Sequence, residues 1–205
     1  PNVHFDFPDP REFDVIVPMG APWGAWDDAT IGNWLLPELE LLRQADHFGI
    51  PVFGICFGGQ MLARVHGGSV ARAPRAEIGW SSVWTQRPDI VGPGPWFQFH
   101  YDRWQVPPGA DEIARNSVAS QAFILRRNLA VQFHPEITPY GYVLWMNNDG
   151  VSASMPAAST PYVGRRVARD PTRNIRTIAS TAMPTAGTRM DHSLSGMTVS
   201  AAAVR

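Results

Sequence analysis

Two short apolar runs, FDVIVPMG at 13–20 and GIPVFGIC at 49–56, bracket the helix-like segment PELELLRQADHFG, and this arrangement leaves few folds open. Both runs are rich in β-branched residues and short enough to be strands. Between them Leu39, Leu42, Ala45 and Phe48 recur at helical spacing. Pro37 suits a first turn, and Gly49 followed by Pro51 marks a stop. A strand, a helix and a second strand in this order require the two strands to run parallel, because a connection of this length is a crossover rather than a hairpin. Beyond Cys56, FGGQMLARVHGG predicts a second helix closed by Gly67 and Gly68, and EIGWSSVWTQ, WFQFHYDRW, QAFILRR and LAVQFHPE predict strands. The expected fold is α/β: a three-layer sandwich whose mostly parallel central sheet carries helices on both faces and has antiparallel strands added.

The chain has 205 residues, 44% of them hydrophobic, enough for one sizeable core. Composition changes near residue 148. All eight Trp and all ten Phe precede it, and Leu194 is the only leucine beyond it. Residues 1–148 carry a net charge of −5 and residues 149–205 a net charge of +4. So few large apolar side chains cannot offset the entropy of ordering a long segment, so 1–148 is expected to be the folded domain and 149–205 a basic, disordered tail. Such a tail fits a solvated end, and it also fits a binding segment.

A formal charge of −1 gives no reason to expect nucleic acid or an anionic membrane as partner. All 17 basic residues are arginine. One cysteine excludes an internal disulfide framework, no Cys/His cluster has zinc spacing, and no apolar run approaches the ~18 residues that span a bilayer. A cytoplasmic location, no metal and no cofactor are the expectations.

Cys56 is that cysteine. A lone cysteine on an apolar strand often serves as a small buried hydrophobe. Here it stands where PVFGI turns abruptly into a helix, with Gly54 two residues before it and Gly58 two after. That G-x-nucleophile-x-G pattern describes an elbow in which small flanking residues let the chain pass close by while a strained nucleophile projects above the sheet edge. The thiol would face the positive end of the following helix, which favours thiolate. Downstream, VQFHPEIT places His134 and Glu136 two residues apart, on one face if the segment is extended. A carboxylate so placed can hold the imidazole in the tautomer that accepts a thiol proton. Either residue alone would pass for a satisfied strand-end histidine or a solvated carboxylate; with an elbow cysteine they supply nucleophile, base and orienter. A third stretch, VPMGAPWG at 17–24, follows a strand, where a Gly/Ala/Pro turn can aim backbone N–H groups into a ligand crevice or be an ordinary loop.

Taken in order, MGAP, GIPVFGICFGGQMLARVHGGSV, EIGW, FHYD and AVQFHPEIT resemble the class I glutamine amidotransferases with a Cys-His-Glu triad, in particular the stand-alone group similar to the amidotransferase domain of GMP synthase. The resemblance covers roughly residues 4–148. It implies the flavodoxin-like fold of that family, and a chain that lacks the family's first strand and helix. It further implies that Cys56 attacks the side-chain amide of glutamine, His134 moves the proton and Glu136 orients His134. The backbone N–H of Phe57 with one from Gly20 or Ala21 would form the oxyanion hole, Gln60 would help hold the substrate, and His100 and Asp102 would contact its α-amino and α-carboxylate groups. Two departures stand out: Ala21 where a second glycine is usual, and Gly59 where a histidine is common.

The implied activity is hydrolysis of glutamine through a Cys thioester to glutamate and ammonia, with ammonia passed to an acceptor on a synthetase partner chain or a small molecule. The chain shows no P-loop or other nucleotide-binding signature of its own. A γ-glutamyl hydrolase acting on γ-glutamyl amines or peptides, and an inactive truncated domain, are the alternatives.

Overall fold

The computed structural model describes residues 7–137, 142, 177–180 and 203–204. Strand β1 (Val15–Pro18) and helix α1 (Asp28–His47) are followed by β2 (Phe53–Ile55) and α2 (Phe57–Val65). Then come β3 (Ser69–Ser81), β4 (Trp84–Thr85), β5 (Trp96–Gln105), β6 (Asp111–Arg115), β7 (Ser120–Leu125) and β8 (Asn128–Val131), with β9 (Thr177–Ser180) and β10 (Ala203–Val204) late in the chain. The rest of 149–205, and with it the expectation of a disordered tail, lies outside the described residues.

The fold is α/β with a mixed sheet. β1 and β2 run parallel through the bridge Ile16–Val52, and β2 pairs parallel with β8. β8, β7, β6 and β4 then continue antiparallel, while β9 lies parallel on the other side of β1 and β10 antiparallel to β9. β3 and β5 form a separate antiparallel ribbon. Antiparallel pairing thus takes a larger share of the described sheet than expected, because β6 and the short β4 extend its far side.

Alternation along the strands sends neighbouring residues to two different clusters, as a pleated strand must. Ile16, Ala130 and Phe123 join α1 and α2 in one cluster, with Trp34, Leu35, Leu42, Phe57 and Leu62; fully burying each large side chain there is worth roughly 1.5–3 kcal/mol. Their neighbours Val131 and Ala122 join Ile55, Val83, Val91, Ile113 and Phe133 in the second cluster.

Helix α1 differs from expectation at its start. It begins at Asp28, capped by the Asp27 side chain accepting from Thr30 N, so Pro37 falls inside the helix rather than in its first turn. The apolar face explains the longer helix: Ile31, Trp34 and Leu35 are buried in phase with Leu39 and Leu42, and packing of that stripe outweighs the hydrogen bond a proline forfeits.

Candidate active site

Cys56 stands between β2 and α2 with φ 53° and ψ −107°, a positive φ that a non-glycine residue adopts only at a cost of about 1–3 kcal/mol. Its neighbours hold it there. Cys56 N donates to Val131 O at 2.8 Å, Gln60 N donates to Cys56 O at 3.0 Å, and Gly58 N donates to Met19 O at 3.1 Å. A Cβ on Gly58 would lie 2.0 Å from Pro18 O and one on Gly54 2.6 Å from Gly58 O, so both flanking positions are closed to any side chain.

His134 is brought to Cys56 by the end of β8. Its Nδ1 donates to Glu136 Oε1 at 2.7 Å. This contact is made across a turn, since β8 stops at Val131 and residues 135–136 are in a turn closed by Ile137 N donating to His134 O at 3.4 Å. The extended geometry expected for His134 and Glu136 is therefore replaced by a tighter one, as Pro135 has no N–H to continue a ladder. Burial alone would favour the neutral ring. It is outweighed by the attraction of Cys56 and Glu136 and by hydrogen bonds to both, so His134 is pushed up to about 10 from its ordinary 6.5. The arrangement sets an imidazole that favours its charged form beside the cysteine, with a carboxylate on its other side to orient it.

Gly20 packs directly on this unit, for a Cβ there would sit 2.9 Å from His134 Cε1 and 3.8 Å from Cys56 Cβ. Ala21 and Phe57 line a cavity beside Cys56. Among the described non-glycine residues only Cys56 and Arg126 have positive φ, so Ala21 occupies its turn without the strain a glycine would relieve. At Gly59, a Cβ would meet Trp104 Cζ3 and Val131 O, each at 3.0 Å. The Trp104 ring thus fills the space a larger residue would need.

The cavity, about 180 Å³, opens beside Cys56 and is lined further by Trp23, Gln60, Arg72, Tyr101 and Asp102. Asp102 is buried at its carboxylate, with Trp26 Nε1 donating to Oδ2 at 3.1 Å and Arg72 Nε lying 3.5 Å from Oδ1. His100 also borders the cavity, yet both ring nitrogens are engaged within the protein: Nδ1 donates to Asp102 O at 2.9 Å, and Nε2 lies 3.2 Å from Gln98 Oε1 and 3.2 Å from Glu77 Oε2. Glu77 in turn accepts from Asn116 and Gln121, so His100 sits in a satisfied polar network behind Asp102. Arg72 and Gln132 belong to this site although the sequence offered little sign of them. Arg72 comes from the β3–β5 ribbon and carries no local motif; Gln132 lies inside the VQFHPE stretch, whose adjacency to His134 was its only signal.

Among the described residues no group of three or more His, Cys, Asp or Glu is placed to hold a metal ion, and no helix is long and apolar enough to cross a membrane.

Residues 35–143 match the family model described as glutamine amidotransferase class-I. GMP synthase [glutamine-hydrolyzing] of Thermomicrobium roseum is 41% identical over 143 residues, covering 64% of this chain but only 25% of that protein, so the chain spans about a quarter of that relative's length. Gamma-glutamyl peptidase 3 of Arabidopsis thaliana is 37% identical over 81 residues, 38% of this chain and 31% of that protein. In structure the chain is similar to a glutamine amidotransferase of Thermotoga maritima, with a TM-score of 0.66 and 26% identity over 74% of this chain and 67% of that one. With the elbow, the His-x-Glu turn and the cavity in one place and the family model matched over more than half its length, the chain belongs to the class I glutamine amidotransferase family.

Proposed function

We propose that the chain hydrolyses the side-chain amide of glutamine. The observation that carries this reading is the hydrogen bond from His134 Nδ1 to Glu136, beside a cysteine held at positive φ at the head of a helix. In the proposed sequence the Cys56 thiolate attacks the amide carbon, and the oxygen takes up the negative charge within reach of the N–H of Phe57 and one from Gly20 or Ala21. Collapse breaks the C–N bond as His134 gives its proton to the departing ammonia, leaving a γ-glutamyl thioester. His134 then takes a proton from water, which attacks the thioester; the C–S bond breaks and glutamate leaves. Asp102 receives the α-ammonium group and Arg72 the α-carboxylate, an assignment that matches a zwitterion to two opposite charges 3.5 Å apart. Gln60 helps to hold the substrate, and His100 acts through Asp102.

The ammonia passes to an acceptor supplied by a synthetase partner chain or a small molecule, in the cytoplasm, and the family sheet with helices on both faces is part of the same reading. A γ-glutamyl hydrolase using the same triad is the second reading. It is favoured by the similarity to gamma-glutamyl peptidase 3, and a leaving group larger than ammonia would extend past the exposed Tyr101 at the cavity.

The test is intact-mass analysis of the chain after incubation with an electrophilic glutamine analogue, beside Cys56→Ser, with circular dichroism to verify folding. One adduct on the native chain and none on the variant is expected; a folded chain that takes no adduct would refute the proposal. Turnover of γ-glutamyl amides faster than glutamine would move the assignment to the second reading.

A further inference from the structure

Behind the nucleophile lies a chain of amides whose orientation is fixed from one end. Asp102 O is a backbone carbonyl and can only accept. Gln60 Nε2 is 3.4 Å from it, so the atom of Gln60 there is its nitrogen, and the opposite assignment would set two oxygens against each other. That same nitrogen donates to Gln132 at 3.3 Å, which makes the receiving atom Gln132 Oε1. Gln132 therefore has its Nε2 on the other side, and this nitrogen lies 3.8 Å from Cys56 Sγ. Gln132 is wholly buried and Gln60 nearly so, so neither amide can turn to water for a different partner. Across the sulfur, Phe99 O stands 3.9 Å away. A carbonyl there suits the neutral thiol and opposes the charged one.

Resting on the reading of Cys56 as the nucleophile, we propose that Gln132 is a further catalytic residue, whose side-chain N–H donates to Cys56 Sγ whenever that sulfur carries negative charge. This happens twice in the cycle. Before attack the donor stabilises the thiolate against the Phe99 carbonyl; at thioester hydrolysis, as the C–S bond breaks, the electron pair returns to Sγ and the same N–H receives it. In the thioester itself the sulfur is neutral and accepts poorly, so the contact discriminates between the states that must form and the intermediate that must not persist. Gln60 acts through Gln132: its two amide hydrogens go to Asp102 O and Gln132 Oε1, tying the wall of the pocket to the sulfur.

The test is alkylation of Cys56 by iodoacetamide across pH, together with intact-mass detection of the γ-glutamyl enzyme during glutamine turnover, in the native chain and in Gln132→Met, Gln132→Glu and Gln60→Met. Methionine keeps the length without the donor. Gln132→Met should alkylate about tenfold more slowly at pH 7, as befits loss of a hydrogen bond to a charged group, with its pH profile moved toward alkaline values and more acyl-enzyme at steady state. Gln132→Glu, which puts a carboxylate beside the sulfur, should be slower still. Gln60→Met, which frees the Gln132 amide to turn without removing it, should lie between native and Gln132→Met, and it decides the matter if Gln132 variants fail to fold. Equal alkylation profiles in native and variant chains would overturn the role of Gln132 while leaving Cys56 as nucleophile. A native chain whose Cys56 takes neither iodoacetamide nor the glutamine analogue would overturn both.

Discussion

Asp102 reaches the pocket with one carboxylate oxygen taken by Trp26 Nε1 and the other turned toward Arg72. An α-ammonium group meeting that carboxylate would gain a charge-assisted hydrogen bond, worth about 1.5–3 kcal/mol. Asp102→Asn keeps an oxygen for Trp26 and removes the charge. It is therefore expected to raise KM for glutamine about 10- to 100-fold with little change in kcat, since the reacting amide is held by other groups. Steady-state kinetics checks this; a KM within twofold of native would move the α-ammonium elsewhere. The contrast between Asp102 and Arg72 also shows where sequence reading runs out. Cys56, His134 and Glu136 were legible as candidates because each proposed role depends on residues within two or three positions of it: glycines for the elbow, a carboxylate for the imidazole. Asp102 was legible only as part of a family segment, and His100 beside it turns out to have both nitrogens engaged within the protein, which no spacing could reveal. Arg72 and Gln132 reach their partners across tertiary approaches of 30 and 76 residues, for which a single sequence has no pattern.

At the scale of elements, the elbow depends on β1 and α2 approaching more closely than side chains allow. Gly58 marks the contact, with its Cβ position 2.0 Å from Pro18 O and its N–H donating to Met19 O. Gly58→Ala must push β1 and the 19–21 turn away from the helix, and overpacking of that kind costs roughly 1–3 kcal/mol or more. Gly32 is the opposite case. It lies in α1, and a Cβ there would meet Asp28 Cβ and Leu36 Cδ1 at 3.7 Å, an ordinary contact. Gly32→Ala is expected to stabilise by about 0.5–1 kcal/mol through helix propensity alone. Urea denaturation of the two variants should move the midpoint in opposite directions; a Gly58→Ala chain as stable as native would show that the elbow has slack. The same physics explains which elements the sequence disclosed. β1, β2 and α2 were bounded by glycines and prolines that leave little choice. α1 was truncated because Pro37 looked like a start, whereas its buried stripe begins at Ile31. β6 was missed because irregular register between Glu112 and Ala114 puts Ile113 and Ala114 both inside, erasing the alternation that betrays a strand.

For the molecule as a whole, the site contributes to the folding equilibrium in a way that should be readable from pH. His134 holds its proton in the folded chain up to about 10, whereas in the unfolded chain it returns to its ordinary 6.5. Between those values His134 holds in the folded state a proton that it has released in the unfolded one, so its own contribution is complete below about 6.5 and is lost as pH rises through about 10. One proton sets an upper slope of about 1.4 kcal/mol per pH unit. Up to about 8.5 the unfolded thiol keeps its own proton, so a thiolate–imidazolium pair binds no more protons than the unfolded chain; the loss of stability should set in above that and run to about 10, where carboxylates and arginines do not titrate and lysine is absent. His134→Gln keeps a buried polar side chain and discards the titration. Its denaturation free energy should fall less steeply between about pH 8.5 and 10 than that of the native chain, and the difference between the two slopes belongs to Cys56, His134 and Glu136 acting together. Parallel slopes between about 8.5 and 10 would mean that the folded imidazole has given up its proton there, and the thiolate–imidazolium pair, with the early proton transfer built on it, would have to be abandoned in favour of a thiol that ionises only as it attacks.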